Sequence, residues 1–239
     1  MFRKLKRYYY QLTHPIIGEV WQLHRVRSRL SEQNELRRYE VTPTRLETLI
    51  LNYKQRGYGF VSMNDIHDYV IGKKKLKQKF VAVTLDDGYE DNLLEAYPIF
   101  EKYQVPFCIY ITKQYITGEK EACDDVHFNM LSVDQIKTLL QSPLCTIGGH
   151  TLSHRRLSQL DIEEQTKEII DCQTWLEDLL HISIVDFSYP YGDYNVDTLQ
   201  IISKSGIRQA VAAWGGDVRK DKSKVLCIPR KLVTQISIK

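Results

Sequence analysis

Two adjacent carboxylates, Asp86 and Asp87, followed by Gly88, close the apolar run Phe80-Val81-Ala82-Val83-Thr84-Leu85. Neighbouring side chains at a strand end point in different directions, so one carboxylate can hold a cation while the other accepts a proton. Asp-Asp-Gly alone is also an ordinary turn with aspartate as a helix cap. A second chemically suggestive stretch is Gly148-Gly149-His150-Thr151-Leu152-Ser153-His154. Imidazoles four positions apart converge on one ion when the backbone between them turns helically, and the two glycines permit tight turning. A third is Phe187-Ser188-Tyr189-Pro190-Tyr191-Gly192-Asp193-Tyr194. Its rings can stack on sugar faces and a backbone N–H beside Pro190 can donate to an oxyanion; the same residues also suit a packed turn.

The elements that must position these residues alternate along the chain. Val81, Ala82, Val83 and Leu85 are apolar on both faces, which predicts a buried parallel strand ending at Asp86. Ligands of α/β folds bind at such carboxyl ends. Further strands are predicted over residues 16–24, 60–62, 106–111, 145–147, 182–189, 210–213 and 228–238. A helix capped by Thr42 begins at Pro43, carries Leu46, Leu49, Ile50 and Tyr53 inward and stops at Gly57. Others follow over 63–70, over 90–103 with a break at Pro98, over 133–141 behind Ser132, over 161–180 with Ile162, Ile169, Cys172, Leu176 and Leu179 inward, and over 196–205. Residues 25–40 and 112–130 read as connections. Strand–helix alternation without repeats or a low-complexity linker predicts one α/β domain with a parallel sheet or barrel.

The 239 residues suffice for a sizeable core, and 43% hydrophobic with 26% charged residues suits a globular protein. Five scattered cysteines without a Cys-x-x-Cys pair argue against a disulfide framework and a thiolate zinc site, and for a reducing, cytoplasmic setting. The net charge of +3 hides an uneven distribution: residues 1–79 carry 17 Lys and Arg against 7 Asp and Glu. Residues 1–15 form a basic segment ahead of a domain over 16–239. Residues 1–12 could lie as an amphipathic helix on an anionic membrane surface or pack on the domain, and no secretion signal or spanning run is evident. No aromatic-interleaved basic groove points to nucleic acid.

The three stretches, in this order, resemble the polysaccharide deacetylases of the NodB-homology type, carbohydrate esterase family 4. Thr84-Leu85-Asp86-Asp87-Gly88 is similar to the family's Thr-Phe-Asp-Asp-Gly, His150 to His154 to its His-(Ser/Thr)-x-x-His, and Tyr189-Pro190-Tyr191-Gly192 to its third motif. The resemblance implies a distorted (β/α) barrel with fewer than eight complete units. It implies one divalent metal, zinc above all, on Asp87, His150 and His154, with Asp86 as general base and the Tyr191 N–H beside the oxyanion. Zinc would polarise the acetyl carbonyl and acidify its water. The implied reaction is hydrolysis of the amide of an N-acetylated sugar in a polysaccharide or glycolipid. An O-acetyl esterase, or a carbohydrate-binding protein with impaired catalysis, are the alternatives. Tyr189, Pro190, Tyr191 and Trp214 are the candidate substrate contacts, although Trp214 and Asp217 do not match the fourth motif's spacing. The third motif's arginine, which orients the base, is missing from residues 186–188, and Arg230 is the candidate replacement. The Leu-x-x-His motif of the general acid is also missing, and His24 is a candidate proton donor or a structural residue.

Overall fold

The computed structural model describes residues 16–76, 78–122 and 127–237. The basic segment 1–15 and Cys123 lie outside the described residues. Eleven strands are described: β1 (Ile16–Leu23), β2 (Arg25–Val26), β3 (Glu40–Val41), β4 (Gly59–Phe60), β5 (Phe80–Leu85), β6 (Phe107–Ile111), β7 (Cys145–Gly149), β8 (Asp186–Ser188), β9 (Gln209–Val211), β10 (Asp217–Arg219) and β11 (Lys231–Leu232). The main sheet runs β10-β1-β5-β6-β7-β8-β9, with β4 pairing β5 and β11 pairing β1. Only β10 is antiparallel to its neighbour. This is a curled α/β half-barrel in a single domain, as the sequence predicts.

Alternation along the strands sorts residues between two sides. On β5, Val81, Val83 and Leu85 face a core shared with Trp21, Leu23, Phe107 and Ile109 and with the helices. Helix Pro43–Gln55 adds Leu46, Leu49, Ile50 and Tyr53, all buried. Each such side chain contributes about 1.5–3 kcal/mol by leaving water. The opposite side of β5, Phe80 and Ala82, points into the curl with Val20, Cys108 and Tyr110, where Met63, Ile66, Tyr69 and Val70 of helix Met63–Val70 fill the space. Continuing that inward row past Phe80, Ala82 and Thr84 leads to Asp86, just beyond the strand end. Phe187 and Ala210 form a third cluster with Ile169 of helix Ile162–Leu180 and Ile202 of helix Val196–Lys204.

Residues 228–232 cross the open side of the curl. Ile228 bridges Val211 of β9 in parallel, and three residues later Lys231 pairs with Trp21 of β1. A strand over residues 228–238 is therefore replaced by two short pairings with different partners and a 3₁₀ turn over Val233–Gln235. Arg230 sits between the pairings and points into the curl.

Other local predictions are also revised. Residues 25–40 contain β2, β3 and a short helix, Asn34–Arg37. The helix predicted over 90–103 begins as a π-helical turn, Asn92–Ala96, and becomes α-helical at Tyr97–Tyr103, with Pro98 in its first turn, where a missing N–H costs nothing. Ile162, expected inward, is exposed at the first position of its helix. The region 112–130 holds a short helix, Lys113–Ile116. Gly148 and Gly149 end β7 and are not a turn. A Cβ on Gly148 would lie 2.5 Å from the Tyr110 ring, so this glycine serves close strand packing. Among the described residues no helix is long and apolar enough to cross a membrane.

Candidate active site

Six described non-glycine residues have positive φ. Gln104 and His181 end helices. The other four, Asp87 (φ 77°), Thr151 (69°), His154 (59°) and Tyr191 (59°), gather at the carboxyl ends of β5, β7 and β8. Left-handed backbone is costly for such residues and clusters where surrounding structure imposes it for function. Here it aims side chains. At Asp87, followed by Gly88 at φ 88°, it sends neighbouring carboxylates to different partners. At Thr151 and His154 it replaces the predicted helical turn and brings the two imidazoles together, with ring centroids 4.9 Å apart.

The histidine loop is tied down by neighbours. Thr112 Oγ1 donates to the His150 carbonyl at 3.0 Å, and the His154 N–H donates to Thr151 Oγ1 at 2.9 Å. The buried carboxylate of Glu168, on helix Ile162–Leu180, accepts from the Ser153 N–H at 2.9 Å and from the Ser153 hydroxyl.

Asp87, His150 and His154 each offer one ligand atom, all within 4.8 Å of one another. His150 Nε2 and His154 Nε2 lie 3.5 and 3.4 Å from Asp87 Oδ1. The His150 Nδ1 lies 2.7 Å from the Ser188 carbonyl, which can only accept, so Nδ1 carries the proton and Nε2 turns a lone pair towards Asp87. Asp87 Oδ1 is buried without a hydrogen-bond partner. Burial depresses both imidazoles, His150 to about 4 and His154 to about 3, so both are neutral at physiological pH. Burial also holds the Asp87 carboxyl above its ordinary value. Imidazole lone pairs facing an orphaned carboxylate oxygen repel one another unless a cation lies between them. The set therefore fits a divalent ion, and three protein ligands leave positions open, as a catalytic site requires.

Asp86 has the opposite surroundings. Arg230 grips it with both arms, Nη1 to Oδ1 and Nη2 to Oδ2, each at 2.8 Å, and Gln22 Nε2 donates to Oδ2 at 2.9 Å. Burial opposes ionisation, but Arg230 outweighs it and holds Asp86 well below the usual carboxylate range. Arg230 also donates to Thr84 Oγ1, the Ala212 carbonyl and Ser188 Oγ. Ser188 lies inside the third motif, where the family's arginine is missing, so a guanidinium reaches that region from residues 228–232.

His24 follows β1, with Nε2 at 3.8 Å from Asp86 Oδ2 and its ring 4.7 Å from that of Tyr39. It lines a cleft of about 970 Å³ shared with both aspartates, His150, His154 and Arg230. Tyr191 and Trp214, 46% and 65% exposed, also line the cleft. Tyr189 and Pro190 do not: both are buried. The Tyr189 hydroxyl donates to the Leu226 carbonyl at 2.8 Å, and its ring packs on Phe187 and Tyr194. The aromatic loop is thus half anchor and half cleft wall, because the left-handed turn at Tyr191 reverses the direction of its side chain. Gln22 and Tyr89, whose side chain hydrogen-bonds Asp87, were not singled out in the sequence. Gln22 shares its strand with Glu19, so its polarity did not mark it out.

YxkH of Bacillus subtilis (strain 168), named after the polysaccharide deacetylases, is 29% identical over 166 residues, covering 70% of this chain and 56% of that protein. The poly-beta-1,6-N-acetyl-D-glucosamine N-deacetylase of Staphylococcus aureus (strain MRSA252) is 26% identical over 186 residues, 74% of this chain and 62% of that protein. The chain thus spans less than two thirds of either relative. Among solved structures, IcaB from Ammonifex degensii superposes with a TM-score of 0.78 at 26% identity, covering 92% of this chain and 93% of that one. Streptococcus pyogenes deacetylase PplD, in complex with acetate, reaches 0.80 at 23% identity over 94% and 96%, and supports the fold. The family model for polysaccharide deacetylase matches residues 73–210, more than half of the chain and a span that includes both aspartates and both histidines, so the chain belongs to the polysaccharide deacetylase family.

Proposed function

We propose that the protein is a metal-dependent N-deacetylase that hydrolyses the acetamido group of an N-acetylated sugar in a polysaccharide. The observation that carries this reading is the pairing of two unlike carboxylates in one cleft. Asp87 stands with two neutral imidazoles, and Asp86 is ionised and clamped by Arg230. The family and the poly-N-acetylglucosamine N-deacetylase relative support the same chemistry.

Asp87, His150 and His154 would hold a divalent ion, zinc by its preference for nitrogen donors in a three-ligand set. Bound there, it would supply Lewis acidity to the acetyl carbonyl and to a water. Asp86 is the general base: Arg230 and Gln22 fix its plane, and its charge is present throughout the physiological range. Fixed donors and acceptors need no reorganisation as charge develops, which is where such sites gain most. His24, beside Asp86 and open to the cleft, is placed to protonate the departing sugar amine. The Tyr191 N–H, on a left-handed turn whose ring packs on His154, would donate to the oxyanion. Acetate and a free amine are the products.

Acetate release from N-acetylglucosamine oligomers should stop on chelation and return with stoichiometric zinc. Asp86→Asn should lower kcat by roughly 10²–10⁴, the usual contribution of a general base. Undiminished turnover by metal-free protein, or by Asp86→Asn, would refute the assignment.

A further inference from the structure

Apart from three arginines, the charged side chains lining the cleft face opposite charges. Asp86 is matched by Arg230, and Glu19 by Lys231 at 2.9 Å. Arg25 meets Glu40 and Asp91 at 3.0 and 3.2 Å, and Asp87 belongs to the Asp/His/His set that fits a cation. Three arginines of the lining, Arg38, Arg56 and Arg156, are exposed and pair with no carboxylate among the described residues. Each lies over a tyrosine: Arg38 over Tyr39 at 4.9 Å, Arg56 over Tyr53 at 5.0 Å, Arg156 over Tyr191 at 4.2 Å. A guanidinium over a ring keeps its in-plane N–H groups for another partner such as an anion.

Two of these pairs join directly to the centre, and on different sides of it. The Tyr191 ring packs edge-on against His154 at 4.7 Å, after β7. The Tyr39 ring packs against His24 at 4.7 Å, after β1. In the sheet β1 lies on one side of β5 and β7 on the other, so Asp86 and Asp87 are flanked by two arms of the same composition: histidine, tyrosine, arginine. A sugar seated at the centre would have neighbours reaching both arms.

We propose that the cleft is built for an anionic glycan, with Arg38 and Arg156 binding phosphate or uronate groups on the units that flank the N-acetylated sugar. This rests on the deacetylase reading and names the substrate class of the same site. Planar guanidinium groups recognise both anions through paired hydrogen bonds, and tyrosines beside them offer faces for the sugar rings. A neutral N-acetylglucosamine polymer would leave three positive charges without partners. After deacetylation, the new ammonium group would be repelled by the same arginines, which favours product release.

The test is equilibrium binding of metal-loaded protein to three end-labelled oligosaccharides of equal length, read by fluorescence anisotropy. One is neutral N-acetylglucosamine oligomer, one alternates N-acetylglucosamine with glucuronate, and one links N-acetylhexosamines through phosphodiesters. At least one anionic oligomer should bind roughly tenfold tighter than the neutral one, and the advantage should collapse in about 1 M salt, where charges are screened within ~3 Å. The better of the two anionic oligomers identifies the source of the charge. Arg38→Gln with Arg156→Gln should abolish the preference while leaving neutral affinity and melting temperature unchanged. Lysine at both positions, which keeps charge without the planar fork, should restore part of it. Neutral oligomer binding as tightly as both anionic ones, or a double variant that keeps its preference, would overturn the proposal. Acetate release is measured separately, so failure here with intact turnover removes only the substrate class, and anion preference without turnover removes only the deacetylase reading.

Discussion

Asp86 and Asp87 are neighbours in the chain with opposite surroundings, and that contrast divides the labour at the centre. Asp86 receives three hydrogen bonds from Arg230 and Gln22, whereas Asp87 keeps a buried oxygen with no donor. Removing one member of a buried ion pair leaves an uncompensated charge. Arg230→Met should therefore cost about 3–5 kcal/mol of folding stability in chemical denaturation. Adding Asp86→Asn should recover much of that loss, and a fully additive double variant would mean that the two side chains act independently. The identities of Asp86, Asp87, His150 and His154 were legible in the sequence because each sits next to a recognisable strand. Arg230 could be nominated only as a replacement for the third motif's missing arginine, and the roles of Tyr189 and Pro190 were misread because an aromatic loop has the same composition whether it packs inward or lines a cleft.

At the scale of elements, β8 and β9 join through a buried polar pair. Asp186 accepts from Gln209 Nε2, and burial raises its pKa to about 6, with Gln209 and Arg208 opposing that shift only in part. A carboxyl whose folded pKa lies above its unfolded value binds its proton more tightly in the folded state. Its penalty is therefore absent at low pH, grows as pH rises from about 4 to about 6, and is complete above that. Asp186→Asn imitates the protonated acid. It should be more stable than the wild type by about 3 kcal/mol at pH 7.5 in urea titrations, with the difference vanishing near pH 4. A pH-independent difference would place the effect in packing instead. Helix caps and apolar stripes were read well from sequence: Thr42 and Ser132 accept as N-caps from Arg45 and Gln135. Short pairings such as β2 with β3, and β10 with β1, were not, since two or three residues carry no periodicity.

For the molecule as a whole, the ring of strands is completed by residues 228–232, and the same crossing delivers Arg230 to the base. The centre draws on β1, β5, β7, β8 and this crossing at once, so a bound ion links segments far apart in the chain. An ion that binds the folded state alone raises stability by mass action. Chelation should accordingly lower the melting temperature, zinc should restore it, and His154→Ala should make the protein insensitive to both. Strand and helix order, the carboxylate and imidazole pairs, and the α/β class were determined by the sequence itself, because they rest on local periodicity and on side chains adjacent to it. Which half of the aromatic loop lines the cleft, and how an arginine some 144 positions away reaches Asp86, were decided only by the tertiary structure. Those answers depend on left-handed backbone turns and on a crossing between distant strands, and neither leaves a pattern in the order of residues.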